Sequence, residues 1–361
     1  MNRFAFIMHP IVADDVARKL AFTSNWSNAA KERLVKYLPP FKISHITGVR
    51  SAHSEVEGYF VACPLTSRQL LGGVPTETAL KKVIRAGKLA ERLGAQIVGL
   101  GALTSVVGDA GISVAKELKI GVTTGNSYTV ATALMASRLA AAKMGIEMKR
   151  AKVVVVGASG SIGQVCSRLL AREVDQLVLV ARNLERLGKV ADRIREESNR
   201  EVQISGDVTK ALAEADIVIA VTSSLDFVID PLVLKPGAVV CDVARPRDVS
   251  EEVARLRDDV LIVDGGVVDV PGNVNFNFNF GFPPRTSYAC MAETMVLALE
   301  GKLGDFSLGR DITIEQVEEI TRLAEKHGFK LSGFRSFERA VSDEHIAIIR
   351  EKAHKAAVAR A

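Results

Sequence analysis

The chain has few of the residues that would place it in an oxidising compartment or in a membrane. Its 361 residues include only four cysteines, Cys63, Cys166, Cys241 and Cys290, which show no CxxC or Cys/His metal spacing. A disulfide framework is not expected in a chain of this length, so the sequence indicates a reducing, cytoplasmic context. No apolar run approaches the ~18 residues of a membrane-spanning helix. The N-terminus also lacks the pattern of a signal peptide, so we expect no integral membrane segment.

A large charge excess is also lacking. The chain has 47 Lys and Arg against 42 Asp and Glu, a formal net charge of +5. This excess fits an acidic partner or a phosphorylated cofactor and does not indicate nucleic-acid binding. Hydrophobic residues at 48% and charged residues at 25% are typical of globular proteins and exclude a disordered chain.

From Thr76 onward, predicted helices and short apolar strands alternate, which favours parallel strands with helical crossovers. We expect an α/β fold with a doubly wound Rossmann-type NADP-binding domain, a separate α/β substrate domain and a helical C-terminal region. The predicted boundaries are 1–125 for the N-terminal α/β substrate domain, 126–150 for a connecting helix, 151–270 for the Rossmann-type domain, and 271–361 for the C-terminal helical region that carries the candidate catalytic cysteine. Within that last region NVNFNFNF predicts a strand, and a helix is expected near 285–300.

A glycine-rich loop between a predicted strand and a predicted helix is the first candidate site. The candidate cofactor-binding residues in the loop are Gly157, Ser159, Gly160, Ser161, Ile162 and Gly163, in GxxGxxG spacing. Small residues allow a tight turn, and the helix N-terminus favours the negative charge of a pyrophosphate. Thr222 is assigned to the same site. Purely structural glycines are the alternative interpretation.

The end of the next predicted strand indicates which dinucleotide binds. An NAD site has an acidic residue there for the ribose 2′-hydroxyl, whereas this chain has Arg182 followed by Asn183. A guanidinium suits the 2′-phosphate of NADP, and Arg186 lies one helical turn later. The sequence therefore predicts a preference for NADPH, with a surface arginine at a strand end as the alternative.

Cys290 lies in the first turns of a predicted helix, which makes it a candidate nucleophile. A helix N-terminus lowers the pKa of a thiol, so we expect thiolate near neutral pH. Such a thiolate could attack a thioester and hold the acyl group until hydride releases an aldehyde. Glu293 lies about one turn further on and could orient groups beside the thiol. Buried helical cysteines are often inert, so the spacing alone leaves both interpretations open.

Two further segments could contact substrate. Thr124 and Asn126 belong to a run of hydrogen-bonding residues before a predicted helix, although capping explains such a run equally well. Phe278 belongs to a phenylalanine-rich stretch that could line an apolar pocket or form a core strand. No metal site is predicted, because the six histidines show no metal-binding spacing.

Beyond these candidate residues, the chain resembles the aldehyde-forming long-chain acyl-acyl carrier protein (acyl-ACP) reductases of the fatty acid-to-alkane pathway. The most diagnostic segments are SYACMAETMVLALEG and DFSLGRDITIEQVEEITRLAEKHGF. Further similar segments are VTTGNSYTV, VVVVGASGSIGQVCSRLL, LVLVARNLERL and DGGVVD. The similarity extends from about residue 55 to 330, whereas PGNVNFNFNFGFPPR, the first 50 residues and the tail after about residue 330 depart from the family.

The resemblance implies a reaction, a nucleophile and partners. The family's acyl-enzyme cysteine corresponds to Cys290, and the acyl group is reduced with NADPH to a fatty aldehyde. Acyl-ACP is the implied donor, acyl-CoA is also accepted, and Mg²⁺ is implied to stimulate the reaction. A second enzyme that consumes the aldehyde is a further implied partner. The departures put acyl chain length and donor preference in question more than the type of reaction.

Two other functions stay open. An NADP-dependent dehydrogenase of the shikimate or quinate type would share an α/β domain ahead of a GxxGxxG domain, but its usual Lys-Asp pair is not recognisable. It would need no thiol, so the activity of a Cys290→Ala variant separates it from the reductase. A non-catalytic NADP-binding protein would bind cofactor without turning over any thioester.

Overall fold

The computed structural model describes residues 1–226, 228–337 and 339–360, and the chain divides into two compact units. Unit 1 comprises Met1–Tyr128 and Val268–Lys330, and unit 2 comprises Thr129–Val267 and Leu331–Ala361. The region predicted as a separate C-terminal part, 271–361, is therefore divided between the units, and Cys290 belongs to the unit that contains the N-terminus.

The strands, in chain order, are β1 Asn2–Met8, β2 Phe41–Arg50, β3 Glu55–Ala62, β4 Ile97–Leu100, β5 Gly121–Thr123, β6 Lys152–Val156, β7 Gln176–Val180, β8 Gln203–Ser205, β9 Ile217–Ala220, β10 Val239–Asp242, β11 Leu261–Asp264, β12 Val267–Asp269, β13 Gly272–Asn275, β14 Thr286–Tyr288, β15 Lys330–Leu331, β16 Phe334–Ser336 and β17 Arg339–Val341. Most are short and rich in β-branched residues, which suits buried parallel strands.

The α-helices, in chain order, are α1 Asn28–Tyr37, α2 Thr76–Arg92, α3 Ile112–Glu117, α4 Asn126–Met144, α5 Ser161–Leu170, α6 Leu184–Ser198, α7 Val208–Leu212, α8 Glu251–Ala254, α9 Ala289–Glu300, α10 Ile314–His327 and α11 Asp343–Arg360. Local signals set several of their ends. The Ser27 hydroxyl accepts a hydrogen bond from Ala30 N–H at the start of α1, and Gly328 ends α10 with a φ of +84°, as N-caps and glycine C-caps do.

Unit 1 contains a six-stranded mixed sheet with the order β13-β2-β3-β1-β4-β5. Strands β1, β3, β4 and β5 are parallel, while β2 runs antiparallel to β3 and to β13. Because the carboxyl ends of parallel strands meet at one edge of a sheet, the residues after β1, β3, β4 and β5 gather at a common edge. We call this the carboxyl edge of unit 1.

Unit 2 contains a six-stranded sheet with the order β11-β10-β9-β6-β7-β8, and all its neighbouring strands are parallel. Read from β8, this is the doubly wound dinucleotide-binding order, in which the chain reverses direction across the sheet between the first and fourth strands. Val153, Val154 and Val155 of the central strand β6 are fully buried. The expectation of an α/β protein with a Rossmann-type domain is confirmed.

One local prediction is wrong. The segment NVNFNFNF does not continue as a strand, because β13 ends at Asn275 and Asn277 has a φ of +49°. The helix expected near 285–300 is confirmed: it begins at Ala289, after strand β14, and ends at Glu300. A 3-10 helix covers Ala13–Arg18. Within the described part of the chain, no helix is long and apolar enough to cross a membrane.

Candidate active site and cofactor loop

Cys290 is the second residue of α9 and differs from the other cysteines in its exposure. Cys63, Cys166 and Cys241 are buried, whereas Cys290 is half-buried. Burial raises the pKa of the Cys63 and Cys241 thiols to about 12, and neither is open to a substrate. The partial exposure of Cys290 makes it the best placed of the four for a reaction with a bound substrate.

Two turns from the carboxyl edge of unit 1 lie against Cys290. One follows β4 and brings the backbone N–H of Ala102 to the thiol, beside the N–H groups of Cys290 and Met291. The other follows β5 and contains Gly125, where an added Cβ would overlap the Cα and Cβ of Cys290. Only glycine fits this contact, and its φ of +74° favours glycine independently.

The expected lowering of the Cys290 pKa is wrong. Burial raises the pKa of this thiol to about 12, and the negative charge of Glu293 raises it further, against the lowering effect of the backbone N–H groups of Met291, Ala102 and Cys290. Desolvation disfavours the charged thiolate more than the helix N-terminus favours it. The thiol is therefore protonated at neutral pH in the free protein.

Glu293 is fully buried and accepts hydrogen bonds from the turn after β5. One carboxylate oxygen accepts from the hydroxyls of Thr123 and Ser307, the latter at 2.7 Å, and the other accepts from Tyr128 N–H at 2.8 Å. The backbone N–H of Gly125 is a further donor. Glu293 thus ties the first turn of α4 to α9, which is a positioning arrangement around Cys290 and not a direct contact with it.

The three candidate substrate residues lie in different surroundings. Thr124 is buried, and its hydroxyl donates to the Ser307 carbonyl oxygen at 2.5 Å. Asn126 is buried at the start of α4. Phe278 is half-buried. Aromatic rings form a chain of edge and stacking contacts in this part of unit 1, made by Phe60, Phe276, Phe280, Phe282 and Tyr288.

A functional candidate to which the sequence alone assigns no role is His9. It follows β1 at the carboxyl edge of unit 1, and its Nε2 accepts a hydrogen bond from Leu103 N–H in the turn that reaches Cys290. Ninety-four positions separate the two residues, so no local pattern connects them. The signal available in the sequence is a polar residue directly after a buried strand.

In unit 2 the glycine loop lies between β6 and α5, as the spacing predicts. Gly157 has a φ of +87°, and an added Cβ there would lie 2.9 Å from the Val221 carbonyl oxygen. An added Cβ at Gly163 would overlap the carbonyl oxygen of Gly157. Ser159, Ser161 and Ile162 lie between these glycines, and Gly160 is the residue before the first helical residue, Ser161. The tight turn and close backbone approach therefore fit a dinucleotide pyrophosphate.

The residues predicted to select the cofactor lie beside this loop. Gly157 N–H and Ala158 N–H both donate to the Val180 carbonyl oxygen, at 2.9 and 3.2 Å, so the loop contacts the end of β7 two residues before Arg182. Arg182 and Arg186 are exposed.

Asn183 and Thr222 each have a partner within unit 2. The Asn183 side chain caps α6 by accepting a hydrogen bond from Arg186 N–H at 2.9 Å. The Thr222 hydroxyl donates to Asp248. No group of three or more His, Cys, Asp or Glu side chains in the described residues is placed to hold a metal ion.

Comparisons with known proteins find relatives of both units of the chain. A family model described as Shikimate / quinate 5-dehydrogenase matches residues 138–264. The long-chain acyl-ACP reductase of Synechococcus elongatus is 31% identical over 341 residues, which cover 88% of this chain and 94% of that protein. A glutamyl-tRNA reductase of Psychrobacter cryohalolentis is 27% identical over 195 residues, which cover 49% of this chain and 41% of that protein.

A second full-length match is to part of a longer protein. Aminotransferase PigE of a Serratia species is 33% identical over 332 residues, which cover 90% of this chain but only 37% of PigE. Together the doubly wound unit and the reductase relatives define the class: this is an oxidoreductase with a Rossmann-type domain for a nicotinamide cofactor. More narrowly, the chain belongs to the long-chain acyl-ACP reductase family.

Proposed function

We propose that the protein reduces a fatty acyl thioester to a fatty aldehyde with NADPH, through an acyl-enzyme on Cys290. The observation that carries the proposal is the placement of the half-buried Cys290 thiol at the start of α9, facing backbone N–H groups from α9 and from the turn after β4. Such donors stabilise the charge that develops on a thioester oxygen under attack. The family relationship supports acyl-ACP as the donor, with acyl-CoA as a second donor.

The covalent step exchanges one thioester for another. The Cys290 sulfur attacks the carbonyl carbon, the bond from that carbon to the donor sulfur breaks, and the acyl group becomes attached to Cys290. The thiol proton of Cys290 leaves with the released donor thiol. Because the Cys290 pKa is raised to about 12, we expect deprotonation to accompany donor binding or attack.

The residues that would hold NADPH are those of the unit 2 loop. The glycine loop and the N-terminus of α5 suit the pyrophosphate, and Arg182 with Arg186 suit the 2′-phosphate. When bound, NADPH would supply the hydride that releases the acyl group as aldehyde and frees Cys290 as a thiolate, which takes a proton from solvent to become the thiol. Mg²⁺ and an aldehyde-consuming partner enter the proposal through the family resemblance alone.

The experiment is intact-protein mass spectrometry after incubation with palmitoyl-CoA or palmitoyl-ACP in the absence of NADPH. The wild type should gain one palmitoyl group, and addition of NADPH should remove it with release of an equal amount of aldehyde. Cys290→Ser should gain no group. Cys63→Ser is the matched control, because Cys63 also lies in unit 1 but is buried, and it should be acylated like the wild type.

Two results would contradict the proposal. The absence of an adduct with any thioester would favour a thiol-independent dehydrogenase, an alternative that the family-model match over residues 138–264 keeps open. An adduct that persists in Cys290→Ser and disappears in Cys63→Ser would identify Cys63, and not Cys290, as the nucleophile.

A further inference from the structure

His9 is a buried histidine whose hydrogen bonds determine its protonation state. It is 8% exposed, its Nε2 lies 3.1 Å from Leu103 N, and its Nδ1 lies 3.0 Å from the Pro10 carbonyl oxygen. Because an N–H only donates and a carbonyl only accepts, the ring is neutral with its proton on Nδ1. Burial lowers the His9 pKa to about 4, although Asp15 acts in the opposite direction.

The turn that His9 contacts is fixed at several points. The register of β1 and β4 pairs Ile7 with Leu100, so the residues after each strand lie side by side. The Thr104 hydroxyl accepts from Gly101 N–H at 3.0 Å and donates to the Gly101 carbonyl at 2.8 Å. With the bond from His9 to Leu103, these contacts bracket Ala102 on both sides.

Ala102 has an unusual backbone conformation, with a φ of +45°. Residues with a side chain rarely adopt this left-handed conformation, and it persists where the surroundings impose it. Here it accompanies the orientation of the Ala102 N–H toward the Cys290 thiol. The thiol therefore faces donors from two separate segments, α9 and the turn after β4.

We propose that His9 is a positioning residue that holds the 101–105 turn so that the Ala102 N–H faces the Cys290 sulfur. The inference deepens the proposed acyl transfer and rests on it for the role of this N–H in turnover. As the sulfur attacks, negative charge moves from the sulfur to the carbonyl oxygen beside it. Fixed backbone N–H donors from α9 and from the turn after β4 can stabilise the charge on the sulfur and the charge on the carbonyl oxygen, as donors do in an oxyanion hole.

The test measures the alkylation rate of Cys290 by iodoacetamide between pH 6 and about 10.5, by intact mass, in the full-length chain. His9→Ala should slow the alkylation of Cys290 about tenfold at each pH in this range, the factor for a rise of one unit in the thiol pKa. His9→Gln should retain most of the wild-type rate, because its side-chain oxygen can accept the Leu103 N–H. Glu293, whose negative charge raises the pKa of this thiol, is retained in all variants.

His327→Ala is the matched control. His327 is also a buried histidine of unit 1 with two hydrogen-bond partners, Ser51 at 3.0 Å and Glu300 at 2.8 Å. Glu300 is the last residue of α9, ten positions from Cys290 and so about 15 Å along the helix. His327→Ala should lower the melting temperature and leave the alkylation profile of Cys290 at its wild-type position.

In turnover, His9→Ala should lower kcat for the acyl thioester about 10- to 100-fold and change KM less than about threefold. A wild-type alkylation profile in folded His9→Ala would overturn the inference, as would an equal shift in His9→Ala and His327→Ala. The alkylation assay contains neither acyl donor nor cofactor. A shifted profile in a protein that reduces no thioester would therefore refute the proposed function while supporting the positioning role of His9.

Discussion

Burial shifts the pKa values of the ionisable side chains around Cys290. It raises the pKa of Cys290 and of Glu293 and lowers that of His9, so each shift favours the neutral form. Hydrogen bonds oppose the shift at Glu293, where Thr123, Ser307 and backbone N–H groups favour the carboxylate. A helix N-terminus is visible in the sequence and burial is not, which is why the predicted thiolate at Cys290 was wrong.

Arg182 is the residue that should decide between the two nicotinamide cofactors. Arg182→Ser should lower kcat/KM for NADPH about 10- to 100-fold, the size of one lost charge-assisted hydrogen-bond pair, and leave kcat/KM for NADH nearly unchanged. Steady-state kinetics with both cofactors measure this. Arg195→Ser is the control, because Arg195 is exposed on α6 and pairs with Glu201, and its kinetics should match the wild type. Equal kcat/KM for NADH and NADPH in the wild type would contradict the proposed role of Arg182 in selecting NADPH.

At the scale of elements, the candidate site depends on turns that follow parallel strands. The turn after β5 and the start of α4 are held by Glu293, and the turn after β4 is held by His9. Both turns then contact the first residues of α9. A substitution that displaces one of these turns should therefore alter the reactivity of Cys290, even if the substituted side chain does not contact a substrate.

Gly125→Ala tests the contact between the turn after β5 and α9. The new Cβ would overlap Cys290, so we expect the start of α9 to shift and the acylation of Cys290 to slow at least tenfold. Gly145→Ala is a close control, because Gly145 follows the other end of α4, has a φ of +75° and has no atom within 4 Å of an added Cβ.

Both glycine variants should lose about 1–2 kcal/mol of unfolding free energy from the left-handed φ alone, as measured by urea denaturation. Only Gly125→Ala should lose acylation in the mass-spectrometric assay. Equal acylation rates in the two variants would show that the Gly125 contact does not position Cys290.

Elements with local signals could be predicted from the sequence, and contacts across the chain could not. The run KVVVVG with its glycine spacing correctly predicted β6, the loop and α5, because strand propensity and loop chemistry are local. The alternation NFNFNF predicted a strand, but Phe276 stacks on Phe60 and Phe280 packs edge-on against both rings. The contacts to Phe60, like the bond from Leu103 to His9, join residues far apart in sequence.

Across the whole molecule, positive charge is concentrated near the N-terminus. The first 50 residues contain eight Lys or Arg and three Asp or Glu, which matches the net charge of +5 for the full chain. The segment between β1 and β2 also exposes aromatic rings, with Phe22 65% and Trp26 42% exposed. It follows β1 directly at the carboxyl edge of unit 1, the edge where the turns around Cys290 lie.

If acyl carrier protein is the donor, the surface of these first 50 residues should attract it, since acyl carrier proteins are acidic. Arg33 and Lys36 are exposed on α1, and the double variant Arg33→Glu/Lys36→Glu should raise KM for palmitoyl-ACP about tenfold, with a smaller salt dependence than the wild type. KM for palmitoyl-CoA should change less than about threefold, because CoA lacks the acidic protein surface.

The control is Lys352→Glu/Lys355→Glu on α11, which changes net charge equally and should leave both KM values unchanged. An equal rise in KM for palmitoyl-ACP in both double variants would mean that net charge, and not this segment, attracts the donor.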